Sequence, residues 1–397
     1  MNLTPDSHHA ITGARIVTPT GVVEGQTVVV RDGIIADVTG GPAPDQAHDA
    51  HGALLLPGLV DCHSDGLERE RAPRRTAVFP LDFALLTFEG RLRAAGVTTV
   101  FHGIGFQDNE DAGRSIALAD ASCQAILERR PDAPVDHRLL VRTEARVETG
   151  VEPALDWIDR FTERSDDGAV VPIVSFEDHS PGQGQYRDVE TFRAAVDPTR
   201  LPEGETVDSF VAARMAEADA SRHLRDSNRD RLSTLARDNR IRLLAHDCED
   251  TGDIEEAHAA GAAVAEFPLT IEAASRAREL EMQVVMGAPN ALRGESHSGN
   301  VSAADVVGAG LCDALASDYQ PATMLAAAFG LARAGACSLH HAVHLVTAGP
   351  AAVTGLTDRG TIAVGQRADL VLVDDRGRWP QVRHVHRAAT LPQAVSA

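Results

Sequence analysis

The sequence predicts an α/β protein: a (β/α)8 TIM-like barrel carrying a small β-sandwich domain formed from both termini. Three observations predict it. The middle of the chain alternates apolar strand candidates with helical patterns. Both ends are written instead as short strands and turns. The chain has 397 residues, 43% apolar and 24% charged, enough for one large buried core. Residues 1–52 plus 358–397 are assigned to the small β domain and 53–357 to the barrel.

At the N-terminal end, Ala14–Val17 leads to Pro19-Thr20-Gly21, Gln26–Val30 to Arg31-Asp32-Gly33, and Ile34–Val38 to Thr39-Gly40-Gly41. Such turns between β-branched runs predict hairpins. At the C-terminal end, Ala368–Val373 is a strong strand stopped by Asp374-Asp375, and Val382–Val385 is a further candidate. Between the ends, the strand candidates are Leu54–Val60, Val97–Phe101, Leu139–Thr143, Val170–Phe176, Ile241–Ala245, Ala263–Phe267, Gln283–Met286 and Ala314–Ser317. Each is a nearly continuous apolar run, as a parallel strand buried on both faces requires. Helical patterns such as Asp111–Arg129, Ile271–Glu281 and Ala303–Ala309 lie between them, which makes a barrel of crossover units. One connection is too long for a barrel loop. About 60 residues separate His179 from Ile241, and this helical insertion near 183–239 reads as an excursion over the barrel mouth, a lid or an oligomer contact.

Composition excludes several functions. The formal charge is 37 − 58 = −21, and no cation is lysine. So acidic a chain argues against binding a phosphate backbone. Without lysine there is no Schiff base, no P-loop lysine and no carboxylated lysine to bridge metals. No apolar run reaches the roughly 18 residues of a membrane span, and the start MNLTPDSHHAIT has neither the basic nor the apolar region of a signal peptide. Cys62, Cys123, Cys248, Cys312 and Cys337 are odd in number and never spaced C-x-x-C, so reduced thiols in a cytoplasmic protein are expected.

The informative pattern lies where the strands end. Leu54–Val60 runs into Asp61-Cys62-His63-Ser64-Asp65, Leu139–Thr143 into Glu144, and Val170–Phe176 into Glu177-Asp178-His179. Ile241–Ala245 runs into His246-Asp247, and Ala314–Ser317 into Asp318. In a barrel these ends converge on one face. A single Asp there is usually a helix N-cap, but the set together is a metal-site composition suited to zinc, manganese or iron. His63 and Asp65 are two apart on an extended strand end and point the same way, with Cys62 turned into the core. His102, after the second strand, is a weaker candidate. Asp178 and Asp247 abut histidines and would orient them or order solvent.

Leu56-Pro-Gly-Leu-Val-Asp-Cys-His63-Ser-Asp65 resembles the first-strand motif of the amidohydrolase superfamily. Gly360-Thr-Ile-Ala-Val-Gly-Gln-Arg-Ala-Asp369-Leu-Val resembles its closing segment. Five further stretches are similar to the PhnM-like branch of that superfamily. They are Asp178-His179-Ser-Pro-Gly-Gln, Ala265-Glu-Phe-Pro, Met286-Gly-Ala-Pro-Asn290, Arg293-Gly-Glu-Ser-His297-Ser-Gly-Asn300-Val and Ser317-Asp318-Tyr319. Members hydrolyse α-D-ribose 1-methylphosphonate 5-triphosphate to pyrophosphate and the 5-phosphate, in the carbon–phosphorus lyase pathway. The resemblance implies two divalent ions, zinc first and manganese or iron as alternatives, held by His63, Asp65, Glu144, His179, His246 and Asp318. It implies Glu144 at the bridging position, Asp318 as the catalytic proton acceptor, and a homo-oligomer.

A charge count tests that implication. Two divalent ions, three carboxylates and a hydroxide come close to neutral. A small phosphorylated sugar as substrate therefore needs extra donors, and without lysine these are arginine, histidine or backbone N–H groups. Arg293 leads, in the Gly-rich run 287–300 with His297, Ser298 and Asn300. Arg142 shares the strand face of Glu144, and Arg74 lies in the loop after the first motif. The competing readings are an amidohydrolase acting on a cyclic amide or N-acyl substrate, and a catalytically inert scaffold.

Overall fold

The computed structural model describes residues 8–388, apart from 42–43, 45–46, 75, 110–112, 165–169, 202 and 297–298. At the N-terminal end it forms β1 (His8–Thr12), β2 (Arg15–Thr18), β3 (Gly21–Val23), β4 (Thr27–Arg31), β5 (Ile34–Thr39), β6 (His48–Asp49) and β7 (Leu54–Pro57). The turn between β4 and β5 places Asp32 and Gly33 at φ of 50° and 75°, the left-handed pair that an Asp-Gly hairpin uses.

Eight parallel strands follow: β8 (Leu59–Ser64), β9 (Val97–Gly105), β10 (Asp136–Glu144), β11 (Ile173–Glu177), β12 (Arg242–His246), β13 (Ala262–Glu266), β14 (Gln283–Gly287) and β15 (Ala314–Ala316). Each pairs with its neighbour in chain order. The first and last meet where the Asp318 N–H donates to the His63 carbonyl at 3.0 Å and the Asp65 N–H to the Asp318 carbonyl at 2.5 Å. The chain ends with β16 (Leu370–Asp374) and β17 (Gln381–His386). They complete a sheet of order β17-β16-β7-β2-β3, beside a second sheet of order β5-β4-β1-β6. Ile11, Ile16, Val28, Ile35, Leu55 and Leu370 are buried together in one core at this end.

The apolar run Leu54–Val60 is therefore not one strand. It breaks at Pro57-Gly58: β7 pairs with β16 and β2, and β8 opens the barrel. A Cβ on Gly58 would lie 2.2 Å from Thr98 Oγ1, so only glycine lets the chain pass so close to β9. Leu55 joins the small core while Leu54 and Leu56 face the large one, so β7 is buried on both sides at the junction.

The helices on the barrel wall include α1 (Gly66–Arg71), α2 (Leu81–Ala94), α3 (Ile116–Arg129) and α4 (Val151–Arg164). After β11 come α5 (Val189–Ala195), α6 (Val207–Ala220) and α7 (Arg222–Arg237). The expected insertion at 183–239 is shorter than its pattern suggested. The α7 helix buries Leu232 against the wall, and Asn228 Nδ2 donates to the carbonyls of Ala145 and Val147. It is the ordinary crossover to β12. Its charged outer face hid that role. The excursion proper ends with α6, which buries only Val211. Its contribution to the mouth is Gln185, in a 3-10 turn at Gly184–Tyr186. Later wall helices are α8 (Thr251–Ala259), α9 (Ile271–Glu279), α10 (Ala288–Arg293) and α11 (Ala303–Gly308). No helix among the described residues is long and apolar enough to cross a membrane.

Candidate metal centre

The C-terminal ends of the barrel strands open on a cavity of about 280 Å³. Its floor carries His63 and Asp65 from the end of β8, His179 from just after β11, His246 from β12 and Asp318 from just after β15. Asp247, Phe267 and Asp318 each follow a strand with φ near +54°. A side chain other than glycine holds that left-handed backbone at a cost of about 1 kcal/mol. Three such residues around one mouth mark a site whose geometry is imposed by the barrel.

One carboxylate organises two of the histidines. Glu266, the last residue of β13, is fully buried. It accepts from His63 Nδ1 at 2.8 Å on one oxygen and from His246 Nδ1 at 2.8 Å on the other, and also from Ser175 Oγ at 2.6 Å. With Nδ1 committed, each ring keeps Nε2 for the cavity. His63 Nε2 lies 3.5 Å from Asp65 and His246 Nε2 lies 3.5 Å from Asp247. Burial alone would lower the His63 pKa, but Glu266 and Asp65 hold it well above the ordinary value. Burial likewise opposes protonation of His246, and Asp247, Glu177 and Glu266 raise it to about 9. Both rings sit in a field that demands positive charge.

The opposite wall is built by β10 and β11. His179 Nδ1 donates to Glu144 at 2.5 Å and lies 3.8 Å from Glu177. Glu177 is the more deeply placed carboxylate and also lies 3.8 Å from His246 Nδ1. Asp318 has no side-chain hydrogen bond among the described residues; burial and then the neighbouring Asp65 charge push its pKa up to about 6.

Donor atoms of His63, Asp65 and Asp318 lie within 4.8 Å of one another, as do those of Glu144, Glu177 and His179 and those of His179, His246 and Asp247. Imidazole nitrogens and carboxylate oxygens in such groups fit divalent cations. All six residues expected as ligands are thus brought to one mouth. Two carboxylates have no role in the expected ligand set: Glu177, which stands in the strand-end pattern, and Glu266, which does not. Each is the final residue of its strand, and Glu177 stands two before His179, the spacing of His63 and Asp65. That spacing was the available signal.

The expected substrate-binding residues divide. Arg293 and Asn300 line the cavity. His297 and Ser298 lie outside the described residues. Arg142 points toward the centre but is not free for a substrate. Its NH1 contacts both oxygens of Asp65 at 2.7 Å, and its Nε and NH2 hold both oxygens of Glu177 at 2.7 and 2.9 Å. Buried carboxylates must be neutralised, and Arg142 does so from beneath. Gly103 makes room for it: a Cβ there would lie 3.0 Å from Arg142 Cδ and 2.6 Å from an Asp65 oxygen. Arg74 does not reach the cavity either. Its loop folds back in a bridge to Ala77 and leaves the side chain exposed. His102 lies away from the mouth, hydrogen-bonded to His137.

The amidohydrolase family model matches residues 210–390. The α-D-ribose 1-methylphosphonate 5-triphosphate diphosphatase of Escherichia coli (strain K12) is 34% identical over 387 residues, covering 95% of this chain and 98% of that protein. Among solved structures, an adenosine deaminase from Xanthomonas campestris with bound zinc has a TM-score of 0.61 at 18% identity, over 97% of this chain and 92% of that one. A triazine hydrolase variant has a TM-score of 0.62 at 13% identity, over 97% and 94%. At such identities the two structures speak for the fold alone.

Proposed function

The chain belongs to the amidohydrolase family, in the branch of the ribose 1-methylphosphonate 5-triphosphate diphosphatases, and from that membership we propose that it hydrolyses α-D-ribose 1-methylphosphonate 5-triphosphate. The products are pyrophosphate and the 5-phosphate. The observation that carries the reading is the convergence of three imidazoles and a set of carboxylates on one cavity, in a chain that matches the Escherichia coli enzyme over nearly its whole length.

Two divalent ions are proposed, zinc first because three imidazoles contribute. His63, Asp65 and Asp318 would hold one; His179 and His246, with Glu144 and Glu177, would hold the other. Ions bound there would polarise a phosphoryl oxygen and lower the proton affinity of a water molecule. Glu266 keeps His63 and His246 in the tautomer that offers Nε2 to the cavity. Arg142 holds Asp65 and Glu177 in place and cancels part of their charge. Asp318 takes a proton from the attacking water at its carboxylate, aimed by its left-handed backbone. Gln185 lines the cavity on the β11–β12 side.

The test is product analysis. Protein supplied with zinc or manganese should release pyrophosphate from the ribose 5-triphosphate, read by phosphorus NMR. Turnover of cyclic or N-acyl amides with no phosphate product would favour the amide reading instead. Failure to bind about one metal per chain after supplementation would favour an inert scaffold.

A further inference from the structure

We propose that Arg69, Tyr319 and Arg293 form a subsite for the outer phosphates of the polyphosphate chain, with Tyr319 as the brace that holds both guanidiniums at the cavity wall. This rests on the triphosphate reading above and names the part of the substrate it leaves unplaced.

All three residues line the cavity that contains His63, His246 and Asp318. They come from three separate elements. Arg69 lies on α1 four residues after Asp65, the residue at the helix N-cap, so the two stand on the same side. Its guanidinium lies over the Tyr319 ring, 4.7 Å from the centroid. Arg293 is the last residue of α10, and its NH1 lies 3.5 Å from the Tyr319 hydroxyl, which accepts. Its NH2 donates to the Glu295 carbonyl at 3.2 Å. One aromatic side chain thus touches two cations, one on its face and one at its hydroxyl.

Like charges gathered on one residue repel, so an anion between the two guanidiniums is favoured. None is supplied from within the described residues: neither Arg69 nor Arg293 has a carboxylate in ion-pair reach. That is notable in a chain with 58 acidic residues against 37 arginines. The third arginine at the cavity, Arg142, shows the contrast, since Asp65 and Glu177 consume it. Nor can Asn290 serve. Its amide is spent on the Val301 carbonyl and the Ala303 N–H. Neither guanidinium is paired with a carboxylate among the described residues, and each keeps N–H groups beyond its own contacts for phosphate oxygens. The ligand they fit is a diphosphate, the leaving half of the substrate, with the reacting phosphorus over the metal residues.

The probe is inorganic pyrophosphate, titrated calorimetrically into metal-loaded protein, with inorganic phosphate as the short comparison. Arg69→Gln and Arg293→Gln should each weaken pyrophosphate by about tenfold or more and phosphate far less. Tyr319→Leu should weaken pyrophosphate as much as Arg69→Gln, and the double variant should add little to either. Metal content and thermal unfolding midpoint should stay at the wild-type values. Unchanged pyrophosphate affinity in both arginine variants overturns the subsite. Fully additive losses for Tyr319 and Arg69 overturn the brace. If wild-type protein hydrolyses no ribose 5-triphosphate while the variants still lose pyrophosphate, the substrate reading falls and the diphosphate subsite stands.

Discussion

Two clusters in this protein contain the same three side chains, one glutamate and two histidines, and only one of them can serve a metal. At the mouth, His63 and His246 face each other with ring centroids 5.9 Å apart, and Glu266 sits between them. Behind the barrel wall, His102 and His137 stack at 5.1 Å, with Glu89 at one end. The difference is the order of wiring. Glu266 takes Nδ1 from both rings, so both keep Nε2 for the cavity. Glu89 takes only His137 Nε2, at 3.0 Å; the other His137 nitrogen is spent on His102 Nε2 at 2.8 Å. That leaves His102 Nδ1 buried without a hydrogen-bond partner among the described residues, and Phe88 packs nearby. Burial, and then His137, holds the His102 pKa well below its ordinary value. The two clusters teach that a metal site is defined by which nitrogen is left over and where it points, not by composition.

The largest effect expected is at Asp318, a carboxylate of the mouth with no side-chain hydrogen bond among the described residues. Asp318→Asn should lower kcat/KM about 10³-fold, with an unchanged unfolding midpoint. Pyrophosphate release near the wild-type rate would remove Asp318 from the proton path. Next comes Glu266→Gln. A neutral amide can accept from one imidazole but not hold both in the same tautomer, so zinc affinity should fall by about 10–100-fold in chelator competition. Glu89→Gln should leave zinc affinity at the wild-type value. Equal zinc losses in the two variants would erase the distinction between the clusters. The converse holds for stability. Glu89 is buried and also accepts from Arg129 at 2.7 and 2.8 Å, so Glu89→Gln should cost about 1–3 kcal/mol in urea unfolding.

The barrel strands were legible because a parallel strand buried on both faces writes itself as an apolar run. What that run does not show is which sheet receives it, so Leu54–Val60 read as one strand although Pro57-Gly58 divides it between two. The charged face of α7 hid a barrel helix whose buried side rests on Leu232. The polar residues at strand ends were legible as a set. The roles of Glu177, within that set, and of Glu266, outside it, were not, since a carboxylate at the end of a strand also reads as a cap for the next helix. His102 and His246 looked alike for the same reason: each follows an apolar run, and only the barrel decides which faces the mouth. The pairing of Arg69 with Tyr319 was invisible because β8 meets β15 only when the sheet closes.

The smallest expected effect sharpens the comparison through pH. Burial would raise the Glu89 pKa, but the hydrogen bonds from His137 and Arg129 bring it down to about 2 from an ordinary 4.5. A carboxylate depressed on folding stabilises the native state fully above its unfolded pKa and loses that contribution as pH falls through the folded one. The stability gap between wild type and Glu89→Gln should therefore be constant from pH 7 to about 6 and shrink as pH falls through 4.5 toward 2. Urea midpoints of both proteins at pH 7, 5, 4 and 3.5 measure it, with low salt kept constant. Were the gap to widen on acidification, Glu89 would be protonated in the native state at neutral pH. Its carboxyl would then be uncharged beside Arg129, and the contrast with the ionised Glu266 would rest on charge as well as on wiring.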